Sequence, residues 1–523
     1  MDSTRLKILL FVILSLFVAV YLGVAAATAQ LETIAWILGG GIFIGCVLLG
    51  KKIWMLLPFM GALNLTLMIP GTPTTLLLAQ ALFVGFAGLL FLMRRLPFKI
   101  AFTELGFWTL LLCLCVAQTY ARNPVGLNIF GGASVGARPY AIFAAALVSS
   151  VLLSALIIPA KDLRWILRLS ILGGLINFAM LAVGYFIPRV GVWYGAVAAN
   201  AGNTNIQQQG QYGVETASRI GFLGTAGRNI SLWVSSYKSP IRACFHPFWA
   251  PLVLISFAFA ALSGFRNEIG AVGLTYLIAI AYRGGIVSVF IASFTLVIGI
   301  ALLALVNLLA PLPSNIQRSL SFLPGTWEQS YIDDAAGSTD WRVDMWEEAL
   351  LTDYWIKNKI LGDGLGMTSQ ELNYIQSFGD NFTRAQSIAS SNKLSLQQEF
   401  MMATGNYHSG PVSTIRTIGY LGLLVLLLAQ IRLAVHAHRQ IMRARNTEWF
   451  PLTLLIGIPI IWAPIFFIFV FGDFGAAVAS FLMGAAIIRV LENNLPLPAH
   501  GKRDLFLMIQ TKALEIRKQR RGT

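Results

Sequence analysis

Charge is what this sequence has least of. Only 12% of its 523 residues are Asp, Glu, Lys or Arg. That is about half the usual share of roughly 25%, and it excludes the three or four soluble domains that the length alone would suggest. Cysteine is scarcer still. Of the four, Cys46, Cys113 and Cys115 lie in apolar runs and Cys244 lies near a basic turn. None falls between Ala310 and Pro411, so that stretch can build neither a disulfide framework nor a thiolate zinc site. Cys113-x-Cys115 inside an apolar run is read as packing. Histidine is limited to His246, His408, His436, His438 and His500.

Apolar residues are what the chain has in excess. They make up 56% of it, mean hydropathy is +0.71, and long apolar runs recur from Leu9 to Val490. This is the pattern of an all-α polytopic membrane protein. The expected spans are 8–28, 33–50, 53–69, 74–93, 102–119, 139–159 and 168–187, then 248–264, 268–282 and 285–309, and finally 414–434, 451–470 and 474–491. Arg5-Leu6-Lys7 before the first run resembles a signal peptide, but the run is long and more spans follow, so it is read as an uncleaved anchor.

The net charge of +15 invites a nucleic-acid reading, and its distribution argues against one. Residues 310–411 carry twelve acids and six bases, a net −6, which leaves +21 for the rest. The excess bases sit beside apolar runs, at Lys51-Lys52, Arg94-Arg95, Lys161 to Arg168, Arg432 to Arg445 and Lys502 to Arg521. That is the positive-inside pattern, and no nucleic-acid partner is expected. With both termini inside, the acidic stretch lies outside only if one further segment crosses. The candidate is 220–236, poorly apolar and carrying Arg228, with Lys238 and Arg242 as its inside turn. Irregular or polar backbone at membrane depth is tolerated where it lines a protein cavity. The alternative is a surface or re-entrant segment there. The expected fold is thus about 14 (12–14) transmembrane helices with one large, partly helical outer loop. Its divisions are a helix bundle over 1–309, the loop over 310–411, C-terminal spans over 412–491 and a basic tail over 492–523.

Within the loop, Ser338-Thr339 is expected to cap a helix over about 340–358. Trp341, Met345 and Ala349, and likewise Trp346, Leu350 and Tyr354, recur every four residues. Gly362-Asp-Gly-Leu-Gly366 follows no strand and opens no helix, so it is read as a helix terminator and tight turn rather than a dinucleotide site. A long loop is usually functional, although it could serve only as a cap over the helices. On this topology His408 is the one histidine facing outward, where the loop meets the membrane. A lone histidine more often bonds structurally than reacts. Together with Arg266 and Arg342 it says more: arginines grip phosphate oxygens with a planar fork, and imidazole can take a proton from a hydroxyl. No metal is expected, because the loop offers no second His or Cys.

These residues stand in an order that resembles the O-antigen ligase and O-antigen polymerase superfamily of bacterial envelope glycosyltransferases. Arg219 in Ser-Arg-Ile-Gly-Phe-Leu-Gly resembles its Arg-x-x-Gly segment. Ser263-Gly-Phe-Arg266 resembles its helix start. Trp341-Arg342-x-x-x-Trp346 and the glycine turn resemble the opening of its periplasmic loop. Tyr407-His408-Ser409 and Gly419-Tyr-Leu-Gly422 resemble that loop's end. The match covers Arg219 to Gly422. It departs at Asn267, Glu268, Ser409 and Thr225-Ala-Gly-Arg-Asn229, which leaves the subfamily open. The resemblance implies a metal-independent glycosyltransferase without cofactor in the bacterial inner membrane, both termini cytoplasmic. The donor would be a glycan on undecaprenyl pyrophosphate. The acceptor would be a hydroxyl on a lipid core, a polysaccharide or a protein. Arg266 and Arg342 would hold the pyrophosphate, Arg219 would assist at the lipid-phosphate end, and His408 would be the base. The alternative class is a lipid-linked oligosaccharide flippase or other polysaccharide transporter, which would not need an ordered acidic loop on one side.

Overall fold

The computed structural model describes residues 40–41, 44–67, 72–99, 101–126, 136–191, 220–367, 401–402, 404–470 and 472–496. The expected span 8–28, the whole stretch 368–400 and the basic tail from 497 lie outside the described residues. Among the described residues the protein is all-helical, with only two isolated β-bridges, Thr66 to Thr74 and Phe98 to Leu156. Nine described helices are long and apolar enough to cross a membrane: α1 (Ile44–Leu63), α2 (Thr75–Leu92), α3 (Glu104–Arg122), α4 (Arg138–Ala155), α5 (Ala160–Phe186), α8 (Arg266–Leu309), α11 (Gly410–Ala444), α12 (Phe450–Phe469) and α13 (Phe474–Asn494). Between them lie α6 (Gly221–Tyr237), the shorter apolar α7 (Trp249–Leu262), α9 (Ser314–Leu320) and α10 (Gln329–Leu351). The chain is a multi-pass membrane protein. It divides into two compact units: Met1–Trp54 with Leu82–Leu96, and Met55–Ala81 with Pro97–Thr523. The residues discussed below belong to the second.

Several expected boundaries shift. The break expected at Lys51-Lys52 coincides with an irregular stretch: Gly50 takes a left-handed backbone (φ 49°), and Gly50–Met55 winds as a 3-10 helix before Leu56–Leu63, which stops at Asn64 (φ 36°). The bases from Arg432 to Arg443 are not in a turn. They lie on α11 beyond its break at Gly419, and that helix runs on to Ala444, just before Asn446 (φ 83°). The loop helix begins at Gln329 and ends at Leu351, so Ser338 and Thr339 lie inside it rather than at its start. It cannot reach 358, because the Asp363 carboxylate accepts the backbone N–H groups of Lys357 and Asn358 (both 2.9 Å) and holds them in a turn. The glycine turn is real, yet it terminates no helix.

α6 shows why a weakly apolar sequence can be an interior helix. Its inward face is built from small residues, with Gly224, Ala226, Gly227, Ser231 and Ser235 all buried. Small residues let helix backbones approach closely, which is the main source of packing energy in lipid. A Cβ at Gly227 would strike the Ser256 carbonyl of α7 at 2.6 Å. One end of α6 lies at the Ser263 turn, where the Ile220 N–H bonds the Ser263 carbonyl (3.0 Å). The other lies beside Arg283, which donates to the Ser235 and Ser236 carbonyls (3.1 and 2.6 Å). α6 therefore runs the length of the first half of α8. That first half ends at Gly285, whose φ of 76° and ψ of −177° are accessible essentially to glycine alone. Beyond it the helix presents Ile286, Phe290, Phe294 and Val297 outward, the all-round apolarity of a lipid-facing segment.

Polar contacts collect at the two ends of the helices. At one end Glu104 pairs with Arg432 and His436, and Glu492 with His436 and Arg489. Tyr282 also bonds His438 there (2.7 Å). At the other end Arg122 donates to the carbonyls of Leu361 and Gly362, and the Leu365 N–H bonds the Tyr140 hydroxyl (3.1 Å). The acidic loop packs at this second end. It has its own core, in which Met345 and Ala349 of α10 meet Ile356, Met402, Tyr407, Val412 and Ile415.

Candidate active site

His408 sits between that core and the first turn of α11. Ser409 caps the helix by accepting the Val412 N–H (3.4 Å), and Pro411 stands in the first turn, where its missing N–H costs nothing. Tyr407 beside it is fully buried, and its carbonyl accepts the Trp346 indole N–H (2.7 Å). Burial pushes the Tyr407 phenol up to about 12, against the opposing pull of Arg416. The backbone of His408 itself is left-handed, φ 49°. Such a conformation in a residue other than glycine costs about 1–3 kcal/mol and persists where the surroundings over-determine it. The surroundings here are the Trp346 bond, the buried Tyr407 and the Ser409 cap.

Trp341 joins two of the sequence-derived residues. The His408 imidazole meets its ring edge-on, with centroids 5.5 Å apart at 83°. The Arg342 guanidinium carbon lies 5.0 Å from the centre of the same ring, within range for a cation–π contact. Burial, and after it the positive charge of Arg266, pushes the Arg342 guanidinium below its ordinary value. Arg266 and Arg342 are therefore electrostatic neighbours, although they stand on different helices. Two cations held close together repel, an arrangement that favours an anion between them. Arg219 lies outside the described residues.

The turn that presents Arg266 is braced from the loop side. Ser319 of α9 donates to the Ala261 carbonyl (2.9 Å), and buried Arg318 reaches the Gly264 carbonyl (3.5 Å). Arg318 thus adds a third arginine at this turn, one that sequence reasoning counted but did not single out. Two others were also passed over. Arg228 of α6 pairs with Glu268 of α8 (2.8 Å), the two side chains 35% and 12% exposed. Asn267 of α8 borders a cavity of about 220 Å³ that runs past Arg228, Gln430, Trp462 and Asp473. A lone acid in an apolar span needs a partner at membrane depth, and Arg228 was the base available in the facing segment. Arg416, in the first turns of α11, donates to the Gly364 carbonyl (2.9 Å).

The two glycine motifs of the sequence meet here. α11 breaks at Gly419 (φ 76°, ψ 178°), which frees backbone groups that the loop then satisfies. Tyr420 and Leu421 donate to the carbonyls of Lys359 and Ile360 (2.8 and 3.3 Å). Asp363 and Gly364 donate to those of Arg416 and Thr417 (2.7 and 3.0 Å). A Cβ at Gly362 would lie 2.5 Å from the Ile418 nitrogen, so the crossing demands glycine.

Among the described residues no group of three or more His, Cys, Asp or Glu side chains is arranged to hold a metal ion. Compared with known proteins, the chain matches no family model and no curated sequence.

Proposed function

We propose that this protein is a glycosyltransferase of the O-antigen ligase and polymerase type, acting at the periplasmic face of a bacterial inner membrane. The acceptor hydroxyl oxygen attacks the anomeric carbon of a glycan carried on undecaprenyl pyrophosphate. The bond from that carbon to the pyrophosphate oxygen breaks, and His408 takes the hydroxyl proton. Arg266 and Arg342 meet the negative charge that grows on the departing pyrophosphate. Fixed donors aimed at developing charge are the most effective form of transition-state stabilisation. The observation that carries this reading is Trp341 touching both Arg342 and His408, with the charge of Arg266 felt at Arg342. The motif order around them supports it.

The test is made in cells lacking the protein. Long glycans stranded on the carrier lipid point to ligation, and single-unit glycans on surface lipid point to polymerisation. An unchanged glycan profile would overturn the reading.

The reading also requires a particular orientation, with N- and C-termini cytoplasmic and fourteen passes. Reporter fusions at Leu350 and Asn446 are expected to read periplasm and cytoplasm respectively, and a fusion at Lys238 cytoplasm. A cytoplasmic readout at Leu350 would remove the active site from the side where lipid-linked glycans are consumed.

A further inference from the structure

Beside the loop that carries His408 lies a second cavity, of about 260 Å³, that the transfer chemistry leaves unused. Its walls come from α4, α11, α13 and the loop, and none comes from α6 to α10, which carry Arg228, Arg266, Arg318 and Arg342. Arg416 and Asp473 face it together with Thr404, Thr417, Phe143 and Phe474. Arg416 is fixed in place. Its Nη1 is bonded to the Gly364 carbonyl, and the bare α-carbon of Gly405 lies so close that a Cβ there would stand 3.2 Å from the guanidinium Nε. Asp473 is held by capping α13, where one carboxylate oxygen accepts the Ala476 N–H (3.1 Å).

The chemistry of this lining is specific. One cation and one anion cancel, so the cavity selects for no net charge. Their oxygens and N–H groups supply both acceptors and donors, which is what a ring bearing several hydroxyls requires. Two aromatic faces offer apolar contact to the C–H side of such a ring. A mostly apolar cavity with a few placed polar groups is the common form of a small-ligand site. Its place also fits. Thr404 and Gly405 precede His408 in the chain and Ser413 follows it, so the wall and the base belong to one segment. Asp473 borders both this cavity and the one beside Asn267, and next to it Gly410 in the first turn of α11 packs directly on Phe467 and Gly472 of that other cavity.

We infer that this cavity binds a neutral sugar ring of the acceptor glycan, within walls to which the pyrophosphate arginines do not contribute. The inference rests on the glycosyltransferase reading for the word acceptor, but sugar binding itself is testable without turnover. The experiment is saturation-transfer NMR on the full chain in phospholipid nanodiscs, free of sugar detergents. The probes are methyl glycosides of neutral hexoses and N-acetylhexosamines, with a methyl uronide as the charged control. Wild type is expected to give saturation transfer to at least one neutral glycoside, in preference to the uronide. Ala479→Phe, which fills the cavity, is expected to abolish it. Thr417→Val, nearly the same shape without the hydroxyl, and Asp473→Asn are expected to weaken it at least tenfold. They serve as the measurement if thermal melting shows Ala479→Phe unfolded. The site is overturned if no neutral glycoside binds, if the uronide is preferred, or if a folded variant binds as wild type does. Should sugar binding behave as expected while purified protein never transfers glycan from a pyrophosphate-linked donor, the transferase reading falls and the sugar site stands. Transfer without this binding overturns the site alone.

Discussion

His408→Ala is expected to slow glycan transfer by about 10²–10⁴-fold, the usual worth of a general base, while the protein still inserts and folds. The imidazole is half-buried and touches the edge of Trp341 rather than filling the loop core, which is built from Met345, Ala349, Tyr407 and Ile415. One complication is the left-handed backbone at this position. Alanine is strained there, so lost activity could reflect a distorted loop. His408→Gly separates the two causes, because glycine adopts φ of 49° without strain and still lacks the ring. Both variants are expected to be equally inactive, and a recovery with glycine alone would assign the loss to backbone geometry. Near-normal transfer by a well-expressed alanine variant would sink the assignment and turn attention to Asp344 or Glu399.

Arg266→Lys and Arg342→Lys are each expected to lose most transfer activity, and wild type is expected to keep its activity in EDTA. Lysine retains the charge but not the planar fork that spans two phosphate oxygens. Arg342 is also set against the Trp341 ring, 5.0 Å from its centre, and an ammonium group would lose the flat face that stacks there. Burial, and after it the charge of Arg266, lowers the Arg342 guanidinium, so on the proposed reading a pyrophosphate bound between the two would offset that cost. The measurement is transfer from a pyrophosphate-linked glycan by purified protein, with and without chelator. If EDTA abolishes activity and Mg²⁺ or Mn²⁺ restores it, a metal rather than the arginine pair carries the charge.

Much of the helix pattern could be read directly, because α2, α3, α4, α7, α12 and α13 bury or expose long apolar runs and end where polar residues begin. What apolarity alone could not reveal was α6. Its residues face other helices rather than lipid, so packing selects smallness instead of hydrophobicity, and only the need for an even crossing pointed to it. Charge was misleading in the opposite way. Arg432 to Arg443 look like a turn, but long basic side chains sit readily on a helix whose ends reach the membrane surface. At the site, Arg266, Arg342 and His408 stood out by residue type and spacing. Arg228, Arg318 and Arg416 did not, because their partners are Glu268 across two helices or carbonyl groups of distant loops, and no local spacing encodes such contacts. Glu268 was the readable clue, noticed as an oddity but not matched to Arg228.

The crossing of Gly362 over Gly419 bears on how such a protein could be re-engineered. The first twelve residues of α11 are stitched to the loop through four backbone bonds, while the remainder of that helix belongs with Glu104 and Glu492 at the opposite end. The exchangeable cassette therefore does not stop at Pro411, where loop gives way to helix in the sequence. A graft cut there would carry the glycine turn without the strand of carbonyls it clasps, and would leave the recipient's helix bent around nothing. Seams before Ser314 and after Gly422 keep the base, its supporting core and the clasp as one heritable piece, so that specificity can be swapped without redesigning the membrane helices beneath.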